Sequence, residues 1–218
     1  MPDHFFPYCL QSANRGVYAQ TMAMAQETTT LAGLLRTPGV TAGALAAFLD
    51  GLDEAGRVRE VQALPGGALK LLWAACAGAL PLTLDEFVPP TLADGAMLTY
   101  AGKNSLPLFS RFEKRFTRQG GAVIGYNQSG PSPLIGPGYF TVVPATGKPG
   151  ELLFDYDLPP AAAPAGWPAV RRNDRGLSWV VFRHLHDFCR RVATGVVIGE
   201  GTRRGKPMGA FFVLARRP

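Results

Sequence analysis

Residues 180–191 read VVFRHLHDFCRR, and four chemically capable side chains, His184, His186, Asp187 and Cys189, fall within six positions of one another. The secondary structure of this stretch decides both the fold and its chemistry. In a strand, alternate residues share a face, so His184 and His186 would point the same way; in a helix they lie about 200° apart and cannot share an ion. At about 100° per residue, Val181, Phe182, Leu185, Phe188, Cys189 and Val192 gather within about 120° of arc. Ser178 can cap such a helix and Gly195 follows its end. Arg183 and Arg191 each stand four residues from Asp187, the spacing of ion pairs on a helix surface. The apolar spacing therefore predicts an amphipathic helix with Cys189 as a small buried hydrophobe and no metal site.

A second stretch poses the same choice. In NSLPLFSRFEKRFTRQGG (residues 104–121), Phe109, Phe112 and Phe116 recur at helical spacing, Ser105 can cap, and Gly120 ends the run. A strand would place Phe112 and Phe116 on one face with Ser110 and Lys114, a mixture that favours the helix. Around these two helices the chain reads as β. Apolar or alternating runs at 97–101, 122–128, 138–144, 151–157, 195–202 and 208–215 are separated by Gly/Pro turns, and RRGKP (residues 203–207) can join the last two as a hairpin. Spacing of this kind favours an antiparallel sheet or small barrel.

The first part of the chain reads as helical. Residues 14–36 have few breakers and stop at Thr37-Pro38-Gly39. Thr41 can cap a helix carrying Leu45, Phe48, Leu49 and Leu52; a third helix spans 54–64; a fourth, over 68–80, is apolar nearly all round and should be buried. The expected fold is therefore α+β. A helical segment over 1–92 packs on an antiparallel sheet or calycin-like half-barrel over 93–218 with two inserted helices, as two domains or one continuous one. TYAGK (residues 99–103) resembles, over five residues, the opening segment of lipocalin-like barrels, although it lacks the tryptophan usual there. The resemblance agrees with the barrel.

Composition narrows the function. Of 218 residues, 47% are apolar and 17% charged, a globular balance. Cys9, Cys76 and Cys189 are too few and too far apart for a disulfide framework, which favours a reducing, cytoplasmic setting. The N-terminus lacks a basic leader, and the longest apolar run (71–82) is too short to span a bilayer as a helix. Residues 1–92 carry 5 Lys/Arg against 8 Asp/Glu, and residues 93–218 carry 17 against 8, so the second half attracts anions.

Familiar motifs fail. IGEGTRRG (residues 198–205) has glycines suited to a dinucleotide turn, but the chain ends before the helix and strand that turn requires. There is no GxSxG elbow and no zinc-type ligand spacing. Nucleic acid is disfavoured, since no recognised RNA-binding strand motif occurs. No cofactor is implied.

What remains is a concentration of polar groups on β-type segments. In a barrel alternate residues face inward, so a subset of Tyr100, Tyr126, Asn127, Tyr139, Tyr156 and Glu200 can meet in a mostly apolar cavity with Asp155 and Asp157. Alternation forbids all of them at once. His186 is the histidine assigned to that cavity. The expected function is binding of a small, largely apolar or amphipathic ligand. Metal- and nucleotide-independent acid/base chemistry would fall to Asp155 and Asp157. Two other functions are weighed against it. One is a basic module that holds an acidic partner or nucleic acid through Arg171, Arg172, Arg175, Arg190, Arg191, Arg203, Arg204 and Lys206. The other is a homodimer through exposed apolar helix surface. Trp167, in the proline-rich loop 158–170, is expected to pin that loop to the core.

Overall fold

A computed structural model describes residues 29–106, 110–128, 136–170 and 182–218. Residues Leu31–Pro218 form one compact unit. Cys9, Phe109, Ser178, Val181, Arg171, Arg172 and Arg175, and most of the helix expected over 14–36, lie outside the described residues.

Eight antiparallel strands close into a barrel in chain order, β1 pairing with β8. They are β1 (Leu98–Asn104), β2 (Arg111–Gln119), β3 (Ala122–Gln128), β4 (Phe140–Pro144), β5 (Leu152–Asp155), β6 (Leu185–Ala193), β7 (Val196–Arg203) and β8 (Lys206–Arg216). Closure leaves no unpaired sheet edge. At the β7–β8 turn, Arg204 and Gly205 both adopt positive φ (50° and 74°), the backbone that suits a two-residue hairpin to the strand twist. All six β-type runs named from the sequence are strands.

The two inserted helices are strands as well, β2 and β6, and this corrects the expectation. The reason is one of parity. On β2 the inward set is Phe112, Lys114 and Phe116; on β6 it is Leu185, Asp187 and Cys189. Each set contains one charge, which makes a strand look unsuitable when read alone. Inside the barrel Lys114 and Asp187 meet, Nζ to Oδ2 at 3.3 Å. Each disqualifying charge is the other's partner. Asp187 is consequently no helix-surface ion pair with Arg183 and Arg191.

The barrel interior is aromatic. Tyr100, Phe116, Phe140, Phe154 and Tyr156 are all buried there. Three of the rings that fill it sit over glycines directly opposite on the neighbouring strand: Phe112 over Gly102, Phe140 over Gly125, and Phe212 over Gly199. A Cβ on Gly102 or Gly125 would come within 2.6 Å of the facing ring, and one on Gly199 would strike Phe212. The missing side chain is what lets the ring lie flat on the wall, the arrangement by which an aromatic compensates a strand glycine.

Among the described residues, five helical segments precede the strands: α1 (Leu31–Leu34), α2 (Ala42–Asp50), α3 (Glu54–Ala63), α4 (Ala68–Ala75) and α5 (Leu84–Phe87). Thr41 caps α2 by accepting from Ala44 N–H (3.2 Å), and Asp53 caps α3 by accepting from Gly56 N–H (2.6 Å). Leu31, Leu45, Leu49, Val61, Leu69 and Leu72 form one apolar cluster with Val192, Val196, Ile198 and Val213, which alternate with the barrel's inward residues. The helix α4 is shorter and less buried than its composition suggests: Leu69, Leu72 and Trp73 are covered while Leu71 is 52% exposed. One turn, α5, inserts Phe87 among Tyr100, Phe116 and Phe154 and stops one end of the barrel. Tyr100 donates its hydroxyl to the Glu86 carbonyl at 2.8 Å, tying this plug to β1. Among the described residues no helix is long and apolar enough to cross a membrane.

Candidate functional site

The end of the barrel away from α5 is open to a cavity of about 390 Å³. Its walls are mostly apolar, with Phe112, Phe182, Leu185, Met208, Ala210 and Phe211 among them. Asn104 and Arg203, at the ends of β1 and β7, contribute polar groups. The volume falls in the range that takes a small organic ligand.

Four residues from four strands or strand ends form its polar floor. Lys114 Nζ donates to Asn127 Oδ1 (2.7 Å), Tyr156 Oη (2.6 Å) and Asp187 Oδ2 (3.3 Å). Three N–H groups therefore meet three acceptors, which is what a buried ammonium requires. Tyr156 donates its hydroxyl to Asp187 Oδ2 (3.1 Å), and Asn127 Nδ2 donates to the Gly138 carbonyl (3.2 Å). The rings of Phe140, Phe212 and Phe154 surround the ammonium at 4.8, 5.1 and 5.3 Å and present their electron-rich faces to it.

Lys114 and Asp187 are 2% and 6% exposed. Burial pulls the lysine's pKa down, against the opposing pull of the Asp187 charge. Burial and then that same negative charge push the Tyr156 phenol well up, so it stays a hydrogen-bond donor at neutral pH. Asp187 Oδ1 lies 3.6 Å from the point a Cβ on Gly201 would occupy, and Gly201 lines the cavity.

Only part of the set named from the sequence comes together here. Asn127 and Tyr156 line the cavity. Tyr100 points inward but at the stopped end, with its hydroxyl on Glu86. Tyr126 and Tyr139 stand on the outer face, where Trp167 packs on both rings (centroids at 4.8 and 6.3 Å) and Tyr139 donates to the Pro168 carbonyl at 2.5 Å. Trp167 thus pins its loop against the barrel wall. Glu200 alternates with inward Gly199 and Gly201 and faces outward. Asp155 and His186 alternate with inward Phe154, Tyr156 and Asp187, so they too face out, opposite one another in the β5–β6 register. Asp157 joins them just past the end of β5.

The sequence-based set missed Lys114 and Asp187. One signal could have found them: two period-2 apolar rows, 112–114–116 and 185–187–189, each broken once, by charges of opposite sign. Of the basic residues proposed for an acidic partner, Arg190 pairs with Glu151 (2.8 Å) and lies 3.5 Å over the Trp73 ring, while Arg191 pairs with Glu86 (3.2 Å).

The chain matches no protein-family model, no curated protein and no solved structure.

Proposed function

We propose that the protein binds a small, largely apolar or amphipathic molecule in the barrel cavity, with the molecule's polar end on the Lys114–Asn127–Tyr156–Asp187 floor. One observation carries this reading: an apolar-walled space of about 390 Å³, stopped at one end, finishes on a hydrogen-bonded network rather than on more aromatic packing. Lys114 already has three acceptors, so the floor offers chiefly the Asp187 carboxylate. The complementary ligand carries a hydroxyl or amine at its buried end. Acid/base chemistry, under this reading, belongs to Asp187 as proton acceptor inside the cavity.

Gly201 supplies the test. A Cβ there meets nothing closer than 3.6 Å, so Gly201→Leu should fold while filling the cavity. A neutral apolar fluorescent probe that carries an amine, N-phenyl-1-naphthylamine, is titrated into full-length wild type and variant, with thermal melts as the folding control. A tenfold or greater loss of probe affinity with an undisturbed melt is the expected result. Equal affinity in both proteins would overturn the reading.

A further inference from the structure

Outside the barrel, at the open end of β5 and β6, lies a second cluster that the cavity reading does not use. Asp155 ends β5, Asp157 follows two residues later, and His186 is the second residue of β6, directly opposite Asp155. One donor atom from each residue lies within 4.8 Å of the other two. His186 Nε2 stands 3.4 Å from Asp155 Oδ1 and 3.6 Å from Asp157 Oδ2. Both separations exceed a good N–H···O hydrogen bond, which is about 2.7–3.2 Å. They match instead the spacing of ligand atoms around a shared ion: bonds of about 2.0–2.1 Å in a tetrahedral site set neighbouring donors about 3.3 Å apart.

We propose that Asp155, Asp157 and His186 form a binding site for a first-row divalent transition ion such as Zn²⁺, Co²⁺ or Mn²⁺. The donor set is one imidazole and two carboxylates, and the imidazole nitrogen suits these ions better than Ca²⁺, which takes oxygen ligands. The three side chains are 23%, 40% and 26% exposed, so water can complete the coordination.

His184 supports the site from one step out. Its backbone N–H donates to Asp157 Oδ1 (3.0 Å), and its Nδ1 lies 3.2 Å from Asp157 Oδ2. Partners of this kind orient a ligating carboxylate, and their loss weakens metal binding by about 10–100-fold. Two of the ligands belong to a hydrogen-bonded strand pair, so little rearrangement accompanies binding. The donors stand on the opposite face of the barrel wall from the cavity-lining Tyr156 and Asp187.

The experiment uses untagged full-length protein stripped with chelator. Co²⁺ and Zn²⁺ are titrated by calorimetry, with the visible ligand-field spectrum of Co²⁺ as a second readout. Wild type should bind one equivalent and melt at a higher temperature when loaded. Asp155→Asn and His186→Gln should each abolish the spectrum, and His184→Asn should weaken binding about tenfold. Glu113→Gln, which removes a remote carboxylate paired with Arg217, should leave binding unchanged. Circular dichroism confirms that the variants are folded. No saturable binding by wild type, or binding that survives intact in folded His186→Gln, would overturn the proposal.

Discussion

Lys114 is the residue on which the interior turns. A lysine facing inward among five aromatic rings is stable only because Asp187, Asn127 and Tyr156 converge on it from three other directions. Removing one member of a buried ion pair leaves the other uncompensated. Lys114→Met should therefore cost about 3–5 kcal/mol of stability by denaturant unfolding. Lys114→Met/Asp187→Leu should recover most of that loss, because it removes both charges together. Additive losses in the double variant would mean that the two residues are not a coupled pair. The cysteines offer a second check at this scale. Burial pushes Cys76 up to about 11 and Cys189 well above the ordinary thiol range, so both remain thiols near neutral pH. Thiolate is the nucleophile, and folded protein should leave both unmodified by iodoacetamide, with reaction only in denaturant. Peptide mapping by mass spectrometry separates them from Cys9; rapid labelling of Cys189 in the native state would contradict the packing described.

Among the elements, glycine–aromatic pairs on adjacent strands do what a uniform apolar pattern cannot. Gly102, Gly125 and Gly199 each receive the ring of the residue directly opposite, so a bulky ring fits beside the wall of a narrow barrel. Gly199→Ala should cost about 1–3 kcal/mol, since its Cβ would overlap the Phe212 ring. Gly201→Ala, two residues along the same strand and facing the same way, meets only ordinary contacts and should change stability little. Urea melts of the two variants test the contrast; equal effects would show that strand propensity, not the ring seat, sets the cost. The strands themselves were legible where a mostly apolar run carried no charge, as in β3, β4 and the Met208–Ala215 part of β8. They were misread where a charge interrupted it, in β2 and β6. The outer face of β2 is polar (Arg111, Glu113, Arg115, Thr117, Gln119), whereas β6 also carries apolar residues on its outer face. On β6 these include Phe188 and Val192, which pack against the helices. A strand covered on both faces loses the polar alternation by which sequence announces it, and its apolar residues can then fall at helical spacing by coincidence.

For the whole molecule, closing the sheet does two things at once. It separates the polar residues of each strand into an inner set around the cavity and an outer set at the rim. It also brings residues distant in sequence, such as Lys114 and Asp187, into contact. The cavity and the outer Asp/Asp/His cluster are thus products of the same parity: Asp187 faces in because His186 faces out. The stretch VVFRHLHDFCRR contributes to both. Composition and local patterning by themselves determined that the chain mixes helices with an antiparallel sheet, where six of the eight strands lie, which residue caps α2, and that polar groups would gather on the strands. Those are local properties, carried by turn residues, capping side chains and short-range periodicity. Which parity faces inward, and that two apparent helices are strands, only the tertiary structure decided. An inward charge is unfavourable until its partner arrives from across the barrel, and no local pattern records a partner 73 residues away.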